Sequence, residues 1–104
     1  MKVIVEGHRY ELPNFEGKDK PGQELKFIHK EPKEAGLTEL LTVSDGTTNE
    51  EVLEVLINRM QFLQSKFPCC ENSWAITSLE DALTWLNRRT ANRVKRQVEG
   101  KQIA

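Results

Sequence analysis

Arg89 and Arg93, four positions apart with Thr90 between them, are the residues of this chain best suited to chemistry. On a helix, positions i and i+4 share a face. Two guanidinium forks beside a hydroxyl can grip a phosphate or pyrophosphate in bidentate fashion. The same pair could instead bridge to nearby acids. Phe62 offers a flat π-face that could stack a purine, an interaction tolerant of base identity, or it could pack in a core. Asn72 could present its amide to a base or a ribose, or spend that amide capping a helix. Trp74 and Trp85 read first as packing residues and second as partner contacts.

Catalytic arrangements are weak by comparison. No glycine-rich phosphate loop of the usual kind occurs, and no serine, cysteine or threonine sits in a recognisable nucleophile setting. His8 and His29 fall in strand-like sequence, where surface or half-buried structural roles are expected. Cys69 and Cys70 are the two cysteines, and neighbours rarely bridge each other. Both are expected as free thiols, with no metal site and no cofactor. Such a chain is better suited to holding a phosphorylated ligand than to transforming one.

The elements that must position these groups follow from periodicity. The chain has 104 residues, which fits a single domain, with a β-rich part over 1–46 and a helical hairpin over 47–104. Val3, Val5, Tyr10 and Leu12 alternate with polar residues around Gly7 and predict one or two short strands. Pro13 to Gly22 is a loop, with a turn at Lys20–Pro21–Gly22–Gln23. Leu25 to His29 is a further strand that Pro32 interrupts. After a turn at Glu34–Ala35–Gly36, Thr38 to Val43 forms another, stopped at Ser44–Asp45–Gly46.

Thr48–Asn49–Glu50–Glu51 has the spacing of a capping box and opens a helix from about Asn49 to Lys66. Its apolar stripe is Leu53, Leu56, Met60, Leu63 and Phe67, widened by Val52, Val55 and Ile57 beyond what one partner helix covers. Phe67–Pro68 stops it. Asn72 is expected to cap a second helix that runs to about Arg96 and packs through Ile76, Leu79, Leu83 and Leu86. The short connection makes an antiparallel pair. Gly100 marks the end. The fold class is therefore α+β: a small antiparallel β element followed by a helical hairpin that oligomerises through its helices.

Charge is unevenly spread. Arg88, Arg89, Arg93, Lys95, Arg96 and Lys101 face only Glu99 between Asn87 and Lys101, a local balance of +5, whereas the whole chain carries −1. A basic end on an acidic body suits an anionic partner, or simply complements a helix dipole. Asn72 and Arg89 lie 17 positions apart, or about 25 Å on one straight helix. One small ligand cannot touch both within a protomer. A two-fold dimer of antiparallel hairpins would bring the arginines of one copy to the Phe62/Asn72 end of the other and create two equivalent pockets. No hydrophobic run is long enough to cross a bilayer, and the N-terminus is too quickly acidic for a signal peptide, so a cytosolic protein is expected.

The run Asp45–Leu53, the turn Lys66–Phe67–Pro68–Cys69, and the block from Glu71–Asn72 through Leu83, Trp85–Leu86 and Arg89–Thr90 resemble one phage family, the Thoeris anti-defence type 1 sponge proteins. The ending Val98–Glu99–Gly100–Lys101 also fits, and the resemblance is best over residues 38–104. It implies a non-enzymatic protein that sequesters cyclic ADP-ribose signals of bacterial Thoeris immunity, with glycocyclic ADP-ribose isomers as ligands, in the host bacterial cytoplasm. It implies Phe62, Asn72, Arg89, Thr90 and Arg93 as ligand residues. The Pro21–Gly22 turn is a weaker match to a second site for cyclic di- or trinucleotides in hexameric members. The implied assembly is a dimer, or a hexamer built as a trimer of dimers, with no nucleic acid and no membrane as partner.

Other classes remain open at this stage. A small nucleic-acid-binding phage regulator would use the basic C-terminal helix on phosphates, although the near-neutral chain argues against it. An enzyme that cleaves the cyclic nucleotide would release altered ligand. An interaction module would dock a host factor on the wide apolar helix surface.

Overall fold

The computed structural model describes residues 1–34 and 39–96. It divides into two compact units, 1–47 and 48–104. The predicted turn at Ala35–Gly36, Thr38, Gly100 and the Val98–Lys101 motif lie outside the described residues.

The first unit is antiparallel β. Strands β1 (Lys2–Val5), β2 (Arg9–Leu12) and β3 (Gln23–Lys26) form a three-stranded sheet in chain order. Gly7, at φ 79°, makes the tight β1–β2 connection in a conformation that side-chain-bearing residues rarely adopt. Arg9 donates to Glu24, a diagonal pair across β2 and β3 that holds the Glu24 carboxyl below its usual range.

A second, two-stranded sheet pairs β4 (His29–Pro32) with β5 (Leu40–Ser44). Here the structure corrects the expectation of one strand over Leu25–His29. That run splits between two sheets, and Pro32, expected to interrupt a strand, is the last residue of β4. The cause is long-range backbone pairing. Thr47 N–H donates to the Lys26 carbonyl at 2.8 Å, and Ile28 N–H donates to the Thr47 carbonyl at 2.9 Å. These bonds capture the chain as it leaves the first sheet. Proline is tolerated at a strand end, where no ladder donor is required. His8 and His29 are half-buried, as expected of structural histidines, and their rings stack 3.6 Å apart. His8, however, lies in the β1–β2 turn rather than in a strand.

The second unit is a helical hairpin, α1 (Asn49–Lys66) and α2 (Cys70–Lys95). Thr48 is the N-cap of α1, its hydroxyl accepting from Glu51 N–H at 3.3 Å, and Glu50 and Glu51 sit in the first turn. The half-buried positions of α1 are Glu50, Val52, Leu53, Ile57, Met60, Leu63 and Gln64. Those of α2 are Asn72, Ala75, Ile76, Leu79, Leu83, Leu86 and Thr90, with buried Arg93 closing the series. Leu56 and Phe67, expected in the α1 stripe, are exposed, and Ile57 takes the inner position instead. A seam spaced alternately three and four residues is what two helices interdigitating side by side require. Its centre is apolar and its ends are polar.

Gln64 fastens the connection between the helices. Its Oε1 accepts from Cys69 N–H at 3.1 Å, and its Nε2 donates to the Cys69 carbonyl at 3.1 Å and to Ser73 Oγ at 2.7 Å. The N-cap of α2 is Cys69, not Asn72 as expected. Asn72 lies three residues inside the helix and donates back to the Phe67 carbonyl at 3.5 Å, a long contact. Pro68 makes the connection so short that the backbone turns helical at once, before a conventional capping residue is reached.

Glu71 occupies the first turn of α2. Its carboxyl is held below the ordinary value of 4.5 by a backbone N–H bond first, then by the thiols of Cys70 and Cys69. A carboxylate whose folded pKa is depressed adds stability above its unfolded pKa and loses that contribution as pH falls through the folded value. The hairpin should therefore melt at a steady temperature near neutrality and at a lower one on acidification below about pH 4.5. Glu71→Gln should flatten part of that slope in thermal melts followed by circular dichroism.

Candidate functional site

Arg89, Thr90 and Arg93 come together on the last turns of α2, as their spacing predicted. Their environments differ. Arg93 is only 6% exposed, the one buried side chain among the described residues, whereas Arg89 is exposed and Thr90 half-buried. At about 100° per residue, Thr90 and Arg93 continue the seam while Arg89 stands on its flank. A buried guanidinium one turn from another that reaches into solvent puts two cations at the end of α2 in different environments.

Phe62 lies on α1, 55% exposed, with Lys66 Nζ 5.7 Å from its ring centroid. Core packing, the bland expectation for Phe62, is excluded within the protomer by this exposure. Asn72 is half-buried at the start of α2, so Phe62 and Asn72 both flank the α1–α2 connection. Arg89 and Arg93 lie on the same uninterrupted helix as Asn72, so the protomer does not bring the two groups together. Trp74 (70% exposed) and Trp85 (66%) do not pack inside the protomer either, and Arg88 lies over Trp85 at 5.2 Å. The tryptophans are 11 positions apart, about three turns, and so share one outer face of α2.

Among the described residues, two surface clefts, both wide open to solvent, lie along the hairpin. One, of about 400 Å³, runs between the helices past Glu54, Asn58, Gln61, Glu80, Thr84 and Asn87. Helical phase puts it on the opposite side of the seam from Arg89, so it cannot be the arginine site. The other, of about 550 Å³, lies on α1 and includes Phe62. Sequence reasoning missed its polar lining, although positions three and four away from Phe62 were the signal to inspect.

Pro21 and Gly22 sit where the loop enters β3. The Pro21 carbonyl accepts from Asn14 Nδ2 at 3.1 Å, and a Cβ on Gly22 would overlap the Leu12 carbonyl. Backbone packing thus accounts for a glycine at 22. Gly22→Ala should destabilise the three-stranded sheet by about 2 kcal/mol. A melting temperature unchanged from wild type would refute this close approach.

A small β element followed by an antiparallel helical hairpin, with cations gathered at one end of the hairpin and an exposed ring toward the other, defines a helical-hairpin domain. The chain belongs to the Acb2/Tad1 hairpin domain family, whose model matches residues 23–91. It is also similar to Thoeris anti-defense 1 of Bacillus phage SBSphiJ7, with 52% identity over 58 residues, covering 55% of this chain and 41% of that protein. The match thus spans less than half the length of that curated relative. The resemblance read from the Asp45–Leu53 run and the Glu71–Thr90 block is borne out at the level of the family.

Proposed function

We propose that this protein is a non-enzymatic phage anti-defence sponge that binds glycocyclic ADP-ribose signals of the bacterial Thoeris system and keeps them from their effector. The observation that carries the reading is a phosphate-suited cluster, Arg89, Thr90 and Arg93, in a hairpin whose purine-suited ring, Phe62, is exposed. The similarity to a protein named Thoeris anti-defense 1 supplies the biological setting. The ligand offers two phosphates, a purine and two riboses. The chain offers guanidiniums, a hydroxyl, an aromatic face and the Asn72 amide. In this reading the arginines clamp the pyrophosphate, Phe62 stacks the adenine, and Asn72 meets a ribose or base edge.

The pocket is completed by a second copy. Asn72 and Arg89 are about 25 Å apart on one helix, whereas a two-fold dimer sets the arginines of one hairpin beside the Phe62/Asn72 end of its mate. Among the described residues no apolar side chain is buried, while Val55, Phe62, Trp74 and Trp85 stand exposed. A partner helix surface would cover such residues, and burial matters for function as well. Submicromolar binding corresponds to more than about 8 kcal/mol, which calls for an enclosed site rather than an open face. Pro21 and Gly22 form part of a second site, for cyclic di- or trinucleotides, in this reading. The setting is the host bacterial cytoplasm.

Calorimetry with purified protein and glycocyclic ADP-ribose, followed by mass spectrometry of ligand released on denaturation, tests the proposal. Tight binding with chemically unchanged ligand is expected. Altered ligand would mean an enzyme. Absence of binding, together with salt-sensitive affinity for DNA or RNA, would mean a nucleic-acid regulator instead.

A further inference from the structure

Gln64 is half-buried on the last turn of α1, and its carboxamide is directed at the start of α2. Its Oε1 accepts from Cys69 N–H and its Nε2 donates to the Cys69 carbonyl, so one side chain satisfies both backbone groups of a single residue. Nε2 also donates to Ser73 Oγ at 2.7 Å, the shortest of the three bonds. The Cys69 carbonyl accepts from Ser73 N–H as well, at 3.3 Å. Cys69 is the N-cap of α2 and makes no side-chain capping bond of its own. A residue of the neighbouring helix supplies what a capping side chain would. Across this connection the other side-chain tie is the long Asn72 contact to the Phe67 carbonyl.

These bonds orient side chains beyond the connection. Phe62 precedes Gln64 by two positions, about 200° around the helix, so a Gln64 held against α2 turns Phe62 outward. The exposures agree: Gln64 is half-buried and Phe62 exposed. The Ser65 hydroxyl donates to the Phe62 carbonyl at 2.6 Å, which ties down the same turn. On α2, Asn72 directly precedes Ser73. With Ser73 Oγ anchored to Gln64, the Asn72 side chain leaves the helix about 100° from that anchor. One carboxamide thus sets the rotation of both helix ends, and with it the relative placement of the aromatic ring and the Asn72 amide. Two groups that meet one ligand bind it more tightly when their relation is fixed beforehand, because less freedom is lost on binding.

From this we infer that Gln64 is a positioning residue for the ligand site: it acts by holding Phe62 and Asn72 in one relation. The inference rests on the sequestration reading for the identity of the ligand and of the two residues that meet it.

Gln64→Leu leaves a side chain of similar size and removes all three bonds. Its affinity for glycocyclic ADP-ribose, by calorimetry on the full chain, should fall at least about fivefold with helix content unchanged. Ser73→Ala, which removes one bond, should lose less. Ile57→Val, in the seam, should lower the melting temperature yet bind within about twofold of wild type, which separates placement from stability. Gln64→Glu supplies a chemical rescue. Its carboxylate still accepts from Cys69 N–H but has no proton for the Cys69 carbonyl, so it should bind weakly at about pH 7.5. Protonation toward about pH 5 returns a donor, and its affinity relative to wild type at the same pH should recover. Gln64→Leu binding within about twofold of wild type, or a Gln64→Glu deficit that stays flat with pH, overturns the positioning role and leaves the sponge standing. The Asn72 side-chain amide resonance gives a readout without ligand: Gln64→Leu should shift it and speed hydrogen exchange at the Cys69 amide. If wild type fails to bind, the sponge falls. An unmoved Asn72 resonance would then remove the positioning role too, whereas a shifted one keeps it.

Discussion

Arg89→Ala and Arg93→Ala are each expected to weaken glycocyclic ADP-ribose binding at least about thirtyfold, roughly 2 kcal/mol, the usual scale for removing a charge-assisted contact in a desolvated pocket. Their effects on stability should differ. Arg89 is exposed, so its truncation should leave the melting temperature of the ligand-free protein within a degree or two. Arg93 is buried, and its removal deletes packed methylenes along with the charge. Arg93→Ala should therefore lower the melting temperature by several degrees, since about 1 kcal/mol corresponds to roughly 4–8 °C in a domain of this size. Arg89→Lys separates charge from geometry. A lysine keeps the cation but cannot form the bidentate fork, so most of the loss should persist. Calorimetry and differential scanning on the same preparations make the comparison. If both alanine variants bind within twofold of wild type, the clamp is wrong. If Arg89→Ala is the destabilised one, the assignment of inner and outer arginine is reversed.

The contrast between those two arginines marks how far the residues can be read before the structure is known. Their adjacency was legible, because helical spacing alone places i and i+4 together. Which of them is buried was not, because burial depends on what packs against the end of α2, and spacing alone does not give that. The second helix had one clear apolar stripe and its inner face was read correctly. The first carried apolar residues on nearly every side, so Leu56 and Phe67 were placed inside and Ile57 beside them. The split of the strand at Phe27 could not be seen locally. The sequence from Gln23 to Pro32 has no turn signal there, and the break is imposed by hydrogen bonds to Thr47, some twenty positions away. Cysteine is not a customary N-cap, and the Cys69 side chain makes no capping bond, so Asn72 drew the expectation.

Substituting Leu83 with aspartate is expected to have the largest effect on the fold. Leu83 sits at the middle of the seam, half-buried, and also borders the cleft between α1 and α2. An isolated helix of 18 residues, the length of α1, is marginal in water, so the hairpin persists through contact of the two apolar stripes. Replacing a leucine there removes apolar contact and places a carboxylate against Ile57 and its neighbours with no cation in the seam centre to meet it. Truncating a fully buried leucine costs about 2–5 kcal/mol; half-buried Leu83 falls toward the lower end of that range, and a charge without a partner adds to it. Leu83→Asp should lower the melting temperature by more than about 10 °C and reduce helical ellipticity at room temperature. Asp81→Ala, on the exposed side of the same helix, should shift stability by no more than about 0.5 kcal/mol. Trp85→Ala gives a third outcome to compare. Trp85 is exposed and adds little within the protomer, so its loss should leave helix content intact and lower the solution mass if a second copy covers that face. Full helicity in Leu83→Asp would mean that the seam does not hold the hairpin.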